Sequence, residues 1–234
     1  LKFPICEIDE AYHRLIPSRF PPVPLYERLG TSEIQKAAEA LELLTNPRVQ
    51  AMARMPKGPV SGMNPNRSQN WNLAPFAYPT PEGTTFCNSA YKVLDLVKGV
   101  RPALAIAVQR REAFLSSTSE PAINLEMRVI IHPVKGRFAD LTALKFENDQ
   151  AQRWAIGAEI YESDAQGIVY HRPELPGVRA VTVFDGGVLG RAVQSEHYRF
   201  VWDGEHVTTI GNFSSGAVIS REQLFDEFTG QAAA

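Results

Sequence analysis

Over residues 11–16, Tyr12, Arg14 and Ile16 alternate with His13 and Leu15. A period of two predicts a short strand, and Pro17, Pro21 and Pro22 end it. Ser32 and Gln35 stand at capping-box spacing, and Ile34, Ala37, Ala38, Leu41 and Leu44 recur at helical period. A helix is therefore expected from Ser32 to the stop at Thr45-Asn46-Pro47. Residues 55–83 are crowded with Pro, Gly and Asn and predict a long irregular segment, a kind that often carries function.

Further along, residues 90–96 alternate weakly and predict a strand. Pro102 suits the first turn of a helix running to about residue 115. Residues 127–134 predict a strand, and Asp149 caps a helix to about Ile160. The β-rich stretches 167–171 and 180–184 lie close together. Residues 198–210 form the clearest hairpin, with Asp203-Gly204 as a two-residue turn. Ser220 and Gln223 cap a last helix with Leu224, Phe225 and Phe228 on one face. Six to eight short strands with helices between them, without strict βαβ units, predict an α+β fold.

Composition narrows the class. The 234 residues are 44% hydrophobic and 21% charged, which suits one globular domain spanning 1–234. A net charge of −2 and no basic stripe argue against direct nucleic-acid binding. Arg110-Arg111, the longest basic cluster, reads as a solvated helix face. Two cysteines, Cys6 and Cys87, do not make a disulfide framework and read as free thiols. No membrane-length apolar run and no signal-peptide core are visible, so no membrane association and a cytoplasmic location are expected.

Common catalytic signatures are missing: no P-loop, no G-x-G-x-x-G, no H-E-x-x-H and no G-x-S-x-G. The five histidines are scattered without metal-ligand spacing, so no metal is expected. Three charged residues remain as candidates. Arg14 is either an edge-strand arginine with its head in water or an anion clamp, since a guanidinium on a rigid strand can hold phosphate through two parallel hydrogen bonds. Arg172, just past a strand, is a second clamp or an ordinary loop arginine. Asp95 interrupts the apolar run Val93–Val97, as an exposed strand position or a functional carboxylate.

Six stretches, in order, resemble the RES-domain toxins of bacterial RES–Xre toxin–antitoxin modules. They are YHRLIPSRFPPVPLYE, LELLTNPRV, GPVSGMN with APFAYPTPEGTTF, ALAIAVQRREAFL, GIVYHRPELPGVRAVTVF and YRFVWDG. The resemblance implies a fold of ADP-ribosyltransferase-like mixed sheets with flanking helices. It implies NAD as co-substrate, either destroyed by release of nicotinamide or used to transfer ADP-ribose to a host protein such as phosphoribosyl pyrophosphate synthetase. It also implies a cognate Xre-like antitoxin that blocks the site.

Several hallmark positions depart from that family. Arg14 matches its NAD-contacting strand arginine. Thr85 stands where a second arginine is expected, Asp95 at a tyrosine, Ile106 at the glutamate and Arg172 at the serine. Nicotinamide departs through a transition state with positive charge on the ribose, which a carboxylate stabilises and isoleucine does not. The resemblance therefore places Arg14 and Asp95 in the catalytic role, with Arg14, Thr85, Phe86, Tyr91 and Arg172 around NAD. Asp95 would supply the negative charge, Arg172 would grip the pyrophosphate in place of the arginine missing at 85, and Tyr91 or Phe86 would pack against a ring. A free NAD glycohydrolase and a catalytically silent NAD- or partner-binding module are the alternatives.

Overall fold

The structure, a computed structural model, describes residues 3–18, 70–77, 80–144 and 149–229. In chain order its elements are β1 (Ile5–Pro17), α1 (Asn70–Ala77), β2 (Leu94–Val97), α2 (Val100–Thr118), β3 (Ile123–Asp140) and α3 (Gln150–Tyr161). They continue as β4 (Gly167–His171), β5 (Arg179–Val183), a 3-10 turn at Gly186–Val188, β6 (Val193–Trp202), β7 (Val207–Asn212), β8 (Val218–Ser220) and α4 (Arg221–Thr229). The eight strands form one mixed sheet, so the fold is α+β. Among the described residues no helix is long and apolar enough to cross a membrane.

The sheet is organised around β1 and β3. Their antiparallel register runs unbroken from Ile5 opposite Ala139 to Pro17 opposite Met127. β1 also touches β2 through His13 opposite Val97, and β2, β5 and β4 follow antiparallel. β4 returns to β3 in parallel through Ala139 opposite Ile168. Five strands thus close on themselves, and β6, β7 and β8 extend from the other edge of β3. In neighbour order the sheet runs β1-β2-β5-β4-β3-β6-β7-β8, and the β1–β3 seam closes the first five strands into a ring.

Strand alternation gives this sheet two buried faces. One carries Ile8, Tyr12, Leu94, Val134, Phe138 and Val181, with Phe76 of α1 packed among them. The other carries Val97, Val129, Ala139, Ile168, Tyr170 and Ala180 beneath buried residues of α2, α3 and α4. β1 and β3, whose partners flank them on both sides, are far longer than the expected 11–16 and 127–134. Pairing with each other carries both strands past the point where their own sequence alternation fades.

Local chemistry sets most of the element ends. Asp149 caps α3, its Oδ1 accepting from Ala151 N and Gln152 N at 2.9 and 3.2 Å. Ser220 and Gln223 complete the expected box: Gln223 N donates to Ser220 Oγ and Ser220 N to Gln223 Oε1. Leu224 and Phe228 of α4 are buried and Phe225 packs against the same core. Pro102 lies in the first turn of α2, which continues to Thr118 and ends at Ser119 in the left-handed region, φ 53°. Cys6 and Cys87 are both free thiols.

Three expectations need correction. The irregular segment 55–83 contains α1, whose Asn72 and Phe76, one turn apart, are both buried. Pro75 within it masks the helical signal. The strand expected at 90–96 begins only at Leu94, because Asn88 holds a turn, its carbonyl accepting from Tyr91 N and its Oδ1 from Ala90 N. The hairpin loop spans four residues, not two: Trp202 pairs with Val207. Asp203 Oδ1 accepts from both Glu205 N and His206 N at 2.8 Å, an Asx turn that lengthens the loop. The helix expected over 32–44 lies outside the described residues.

Candidate functional site

β2 and β5 lay Asp95 opposite Thr182. The Thr182 hydroxyl donates to Asp95 Oδ1 at 2.6 Å. The other oxygen, Oδ2, faces two arginines: Arg172 Nη1 at 3.5 Å and Arg110 Nη2 at 3.7 Å. Asp95 and Arg172 side chains are 5% and 8% exposed, whereas Arg110 is 46% exposed. Arg172 follows Tyr170 by two residues, so both lie on the helix-covered face. Its backbone N–H donates to Val178 O, closing the loop after β4. Its Nε also meets Glu174 Oε2 at 3.2 Å.

The electrostatics follow from this packing. Burial disfavours the Arg172 charge, yet Tyr170, Asp95 and Glu174 outweigh it and hold the guanidinium more firmly protonated than an ordinary arginine. Tyr170, against the same carboxylate, is pushed up to about 12, by burial first and by Asp95 second. Contacts of 3.5 and 3.7 Å are ion pairs without the short parallel geometry of a guanidinium–carboxylate fork. Donor capacity on Arg110, half in water, remains available for a second anion.

Of the residues singled out from the sequence, Asp95 and Arg172 come together. Phe86 packs edge-on against Tyr170, ring centroids 4.7 Å apart. Thr85 is buried beside it, its carbonyl accepting from Arg153 Nε of α3. Tyr91 packs instead on Tyr161, centroids 4.8 Å apart. Arg14 is on the other side of the sheet: His13 opposite Val97 shares a face with Asp95, and alternation turns Arg14 to the face of Tyr12. Arg14 is brought down to about 10, by burial first and by Arg110 second, which brings the two guanidinium groups within electrostatic reach.

Sequence reasoning missed Arg110, and a signal for it existed. Ile106, at the position the resemblance gives to a glutamate, is buried on α2, and Arg110 follows one turn later on the same face. A basic pair reads as a solvated face only until a buried carboxylate is found beside it.

A second polar group lies on the Arg14 face. His132 of β3 is opposite Tyr12 and fully buried. Its Nδ1 is 2.7 Å from Asn72 Oδ1, and Asn72 Nδ2 donates to Gly190 O at 3.0 Å. Burial, then Arg14 and His13, hold the imidazole well below its usual range, so it is neutral in the folded protein. His13 shifts the same way through burial. The unfolded chain takes up these protons first as pH falls. Stability is therefore complete above the unfolded histidine range and is lost below about pH 6.5, at about 1.4 kcal/mol per pH unit for His132. Urea midpoints at pH 7.5 and 5.5 are expected to separate in the wild type and to converge in His132→Asn.

Fold and site together define an α+β protein that carries a buried carboxylate between two arginines on one face of a mixed sheet. The chain is similar to the uncharacterized protein y4oC of Sinorhizobium fredii, 42% identical over 206 residues that cover 88% of this chain and 89% of that protein. It belongs to the y4oC family. No family model matches the chain.

Proposed function

We propose that this protein is an NAD-dependent ADP-ribosyltransferase toxin that modifies a host protein, phosphoribosyl pyrophosphate synthetase being one target the resemblance offers, and that a cognate Xre-like antitoxin neutralises it. The observation that carries the reading is the cluster of Asp95 with Arg172 and Arg110. It restores the inventory of two cations and one carboxylate that the departures at Thr85, Ile106 and Arg172 would otherwise remove. Five strands closed at the β1–β3 seam and three more extending from β3, with helices on the flanks, also accord with the mixed sheets the resemblance implies.

The chemistry assigns each group a task. Arg110, loosely paired and half exposed, takes a pyrophosphate oxygen. Arg172, held by Asp95 and Glu174, fixes the carboxylate in place. Asp95 supplies negative charge as the bond between ribose C1′ and the nicotinamide nitrogen breaks. The bonding pair leaves with nicotinamide, C1′ bonds to a nucleophile of the protein acceptor, and the acceptor releases its proton. A bound protein acceptor contributes positioning worth on the order of 7–11 kcal/mol, so a divergent site suits transfer better than bulk hydrolysis.

One observation favours the catalytically silent module. Asp95 is 5% exposed and both its oxygens are engaged, as expected of a structural ion pair. Incubation with adenylate-labelled NAD and a bacterial lysate separates the readings. A discrete labelled band, lost in Arg110→Ala and in Arg14→Ala and suppressed by the antitoxin, is the expected result. Free nicotinamide without a band would identify a glycohydrolase and reject protein transfer. NAD binding with neither product would establish the silent module.

A further inference from the structure

We infer that His13 is a pH-sensitive latch that pins the start of α2 to β1, and that its protonation releases the helix start at the weakest joint of the five-strand ring. The latch belongs to the fold and stands with or without the NAD chemistry proposed above.

The joint is weak because so little backbone pairing crosses it. β1 pairs with β3 along its whole length, and β2–β5 and β4–β5 pair along theirs. Between β1 and β2 the described residues form one pair, His13 opposite Val97. Side chains therefore hold the joint, and they do so from opposite faces, since Glu10 and His13 differ in strand parity. On one face Glu10 accepts from Lys98 Nζ at 2.8 Å and from Arg179 Nη1 at 3.1 Å. On the other, His13 Nδ1 accepts from Gly99 N at 3.2 Å, and α2 begins at the next residue.

The second tie exists only while the imidazole is neutral. Nδ1 must keep its lone pair to accept, which assigns the ring proton to Nε2. A proton added at Nδ1 would face the Gly99 N–H, donor against donor. Gly99 is also the N-cap of α2, and a helix N-terminus is positive. Burial comes first in holding His13 below its usual range; the Val97 carbonyl opposes it by favouring the charged ring, and Lys98 adds to it. α2 has no acidic residue in its first turn, and Arg101 there is bound to Glu227 of α4. On β3 the residue opposite is Ile131, with neutral His132 beside it. Asp95, on the same face two residues before Val97, is held by Thr182, Arg172 and Arg110.

Protonation exchanges one partner for another. The ring gives up the Gly99 N–H and turns its new N–H to the Val97 carbonyl, the group that favours its charge. The start of α2 then loses its hold on β1. Glu10 does not follow: Lys98 outweighs burial and, with Arg179, holds its carboxyl below the usual range, so the tie on the other face persists. α2 carries Arg110, so pH reaches the Asp95 cluster through this joint.

Hydrogen exchange of the Gly99 amide, followed by NMR from about pH 7.5 to about pH 5 and corrected for its intrinsic pH dependence, tests this in wild type, His13→Asn and His13→Leu. Asparagine places an oxygen where Nδ1 stood and does not titrate; leucine has no acceptor. In wild type the protection of Gly99 should fall about tenfold on acidification, the factor one lost hydrogen bond is worth. The fall should coincide with the uptake of the His13 proton in ¹⁵N-histidine spectra, which should place the neutral ring's proton on Nε2. In His13→Asn protection should stay high at every pH, and in His13→Leu it should stay about tenfold lower throughout. Thermal melts confirm that the variants fold, and the coincidence of the two wild-type curves needs no variant. The same fall in His13→Asn would trace the effect to His132 or another group and overturn the inference. So would a wild-type Gly99 that stays protected while His13 titrates.

Discussion

Replacing Asp95 with alanine is expected to cost about 3–5 kcal/mol of folding stability, the range for breaking a buried ion pair from one side. The reason is Arg172. It is 8% exposed and firmly protonated, so it cannot shed its charge when the carboxylate goes. Glu174 offers partial compensation from the more exposed side, which places the cost toward the lower end. Thr182 also loses the acceptor it meets at 2.6 Å. Asp95→Asn keeps that acceptor and should fall between wild type and alanine. Removing Arg172 and Asp95 together, as Arg172→Met with Asp95→Leu, should restore much of the loss, because no buried charge is left unmatched. Urea denaturation with unchanged slope measures all four. A near-neutral Asp95→Ala would show that water reaches the cluster.

The ion pair between Lys135 and Asp9 makes a useful contrast. At 2.6 Å it is much shorter, yet both side chains stand more than 70% exposed, at 79% and 72%. Asp9→Ala should leave the urea midpoint where it is, since solvent screens the pair. Burial decides the outcome, and distance does not.

Gly157→Ala is expected to be the most damaging single methyl in the described part of the chain. An added Cβ would lie 1.7 Å from Phe86 O and 2.7 Å from Phe86 C. Both are backbone atoms, so no rotamer change relieves the clash. α3 sits this close because three contacts hold the 84–86 segment against it: Arg153 Nε to Thr85 O, Trp154 Nε1 to Thr84 O at 3.0 Å, and the glycine itself. Overpacking a core costs typically about 1–3 kcal/mol and more when backbone must move. Here α3 or the segment carrying Phe86 has to shift, so the expected loss exceeds about 3 kcal/mol and the Phe86–Tyr170 contact loosens with it. Thermal unfolding checks the stability, and near-ultraviolet circular dichroism follows the aromatic packing. Gly204→Ala is the control. Gly204 has φ 112° and nothing within 4 Å of a built Cβ, so only backbone strain of about 1–2 kcal/mol is at stake.

The candidate site is partly legible in the sequence. Asp95 stands out because a carboxylate in an apolar run needs a reason, and Arg172 because it follows a strand end. The structure places both in one ion pair, 77 residues apart along the chain. Arg14 stands out just as clearly, yet it belongs to the opposite face, a matter of strand parity that follows only once His13 is known to pair with Val97. Arg110, marked only by its place one turn after Ile106, and His132 stand out far less. One looks like a surface charge and the other like a scattered histidine, and each gains meaning from a neighbour distant in sequence.

The division has a physical basis. What the sequence by itself determined is what a few adjacent residues can settle through their own hydrogen bonds and sterics: the Asp149 cap on α3, the Ser220–Gln223 box on α4, Pro102 in the first turn of α2, and β4 at Gly167–His171. Only the tertiary structure decided the long β1–β3 seam, the face on which each strand residue lies, and the gathering of Arg110, Arg172 and Thr182 around Asp95. Those depend on which distant strands pair and in what register, a choice made by the burial of two whole sheet faces at once, and no short stretch of chain contains it.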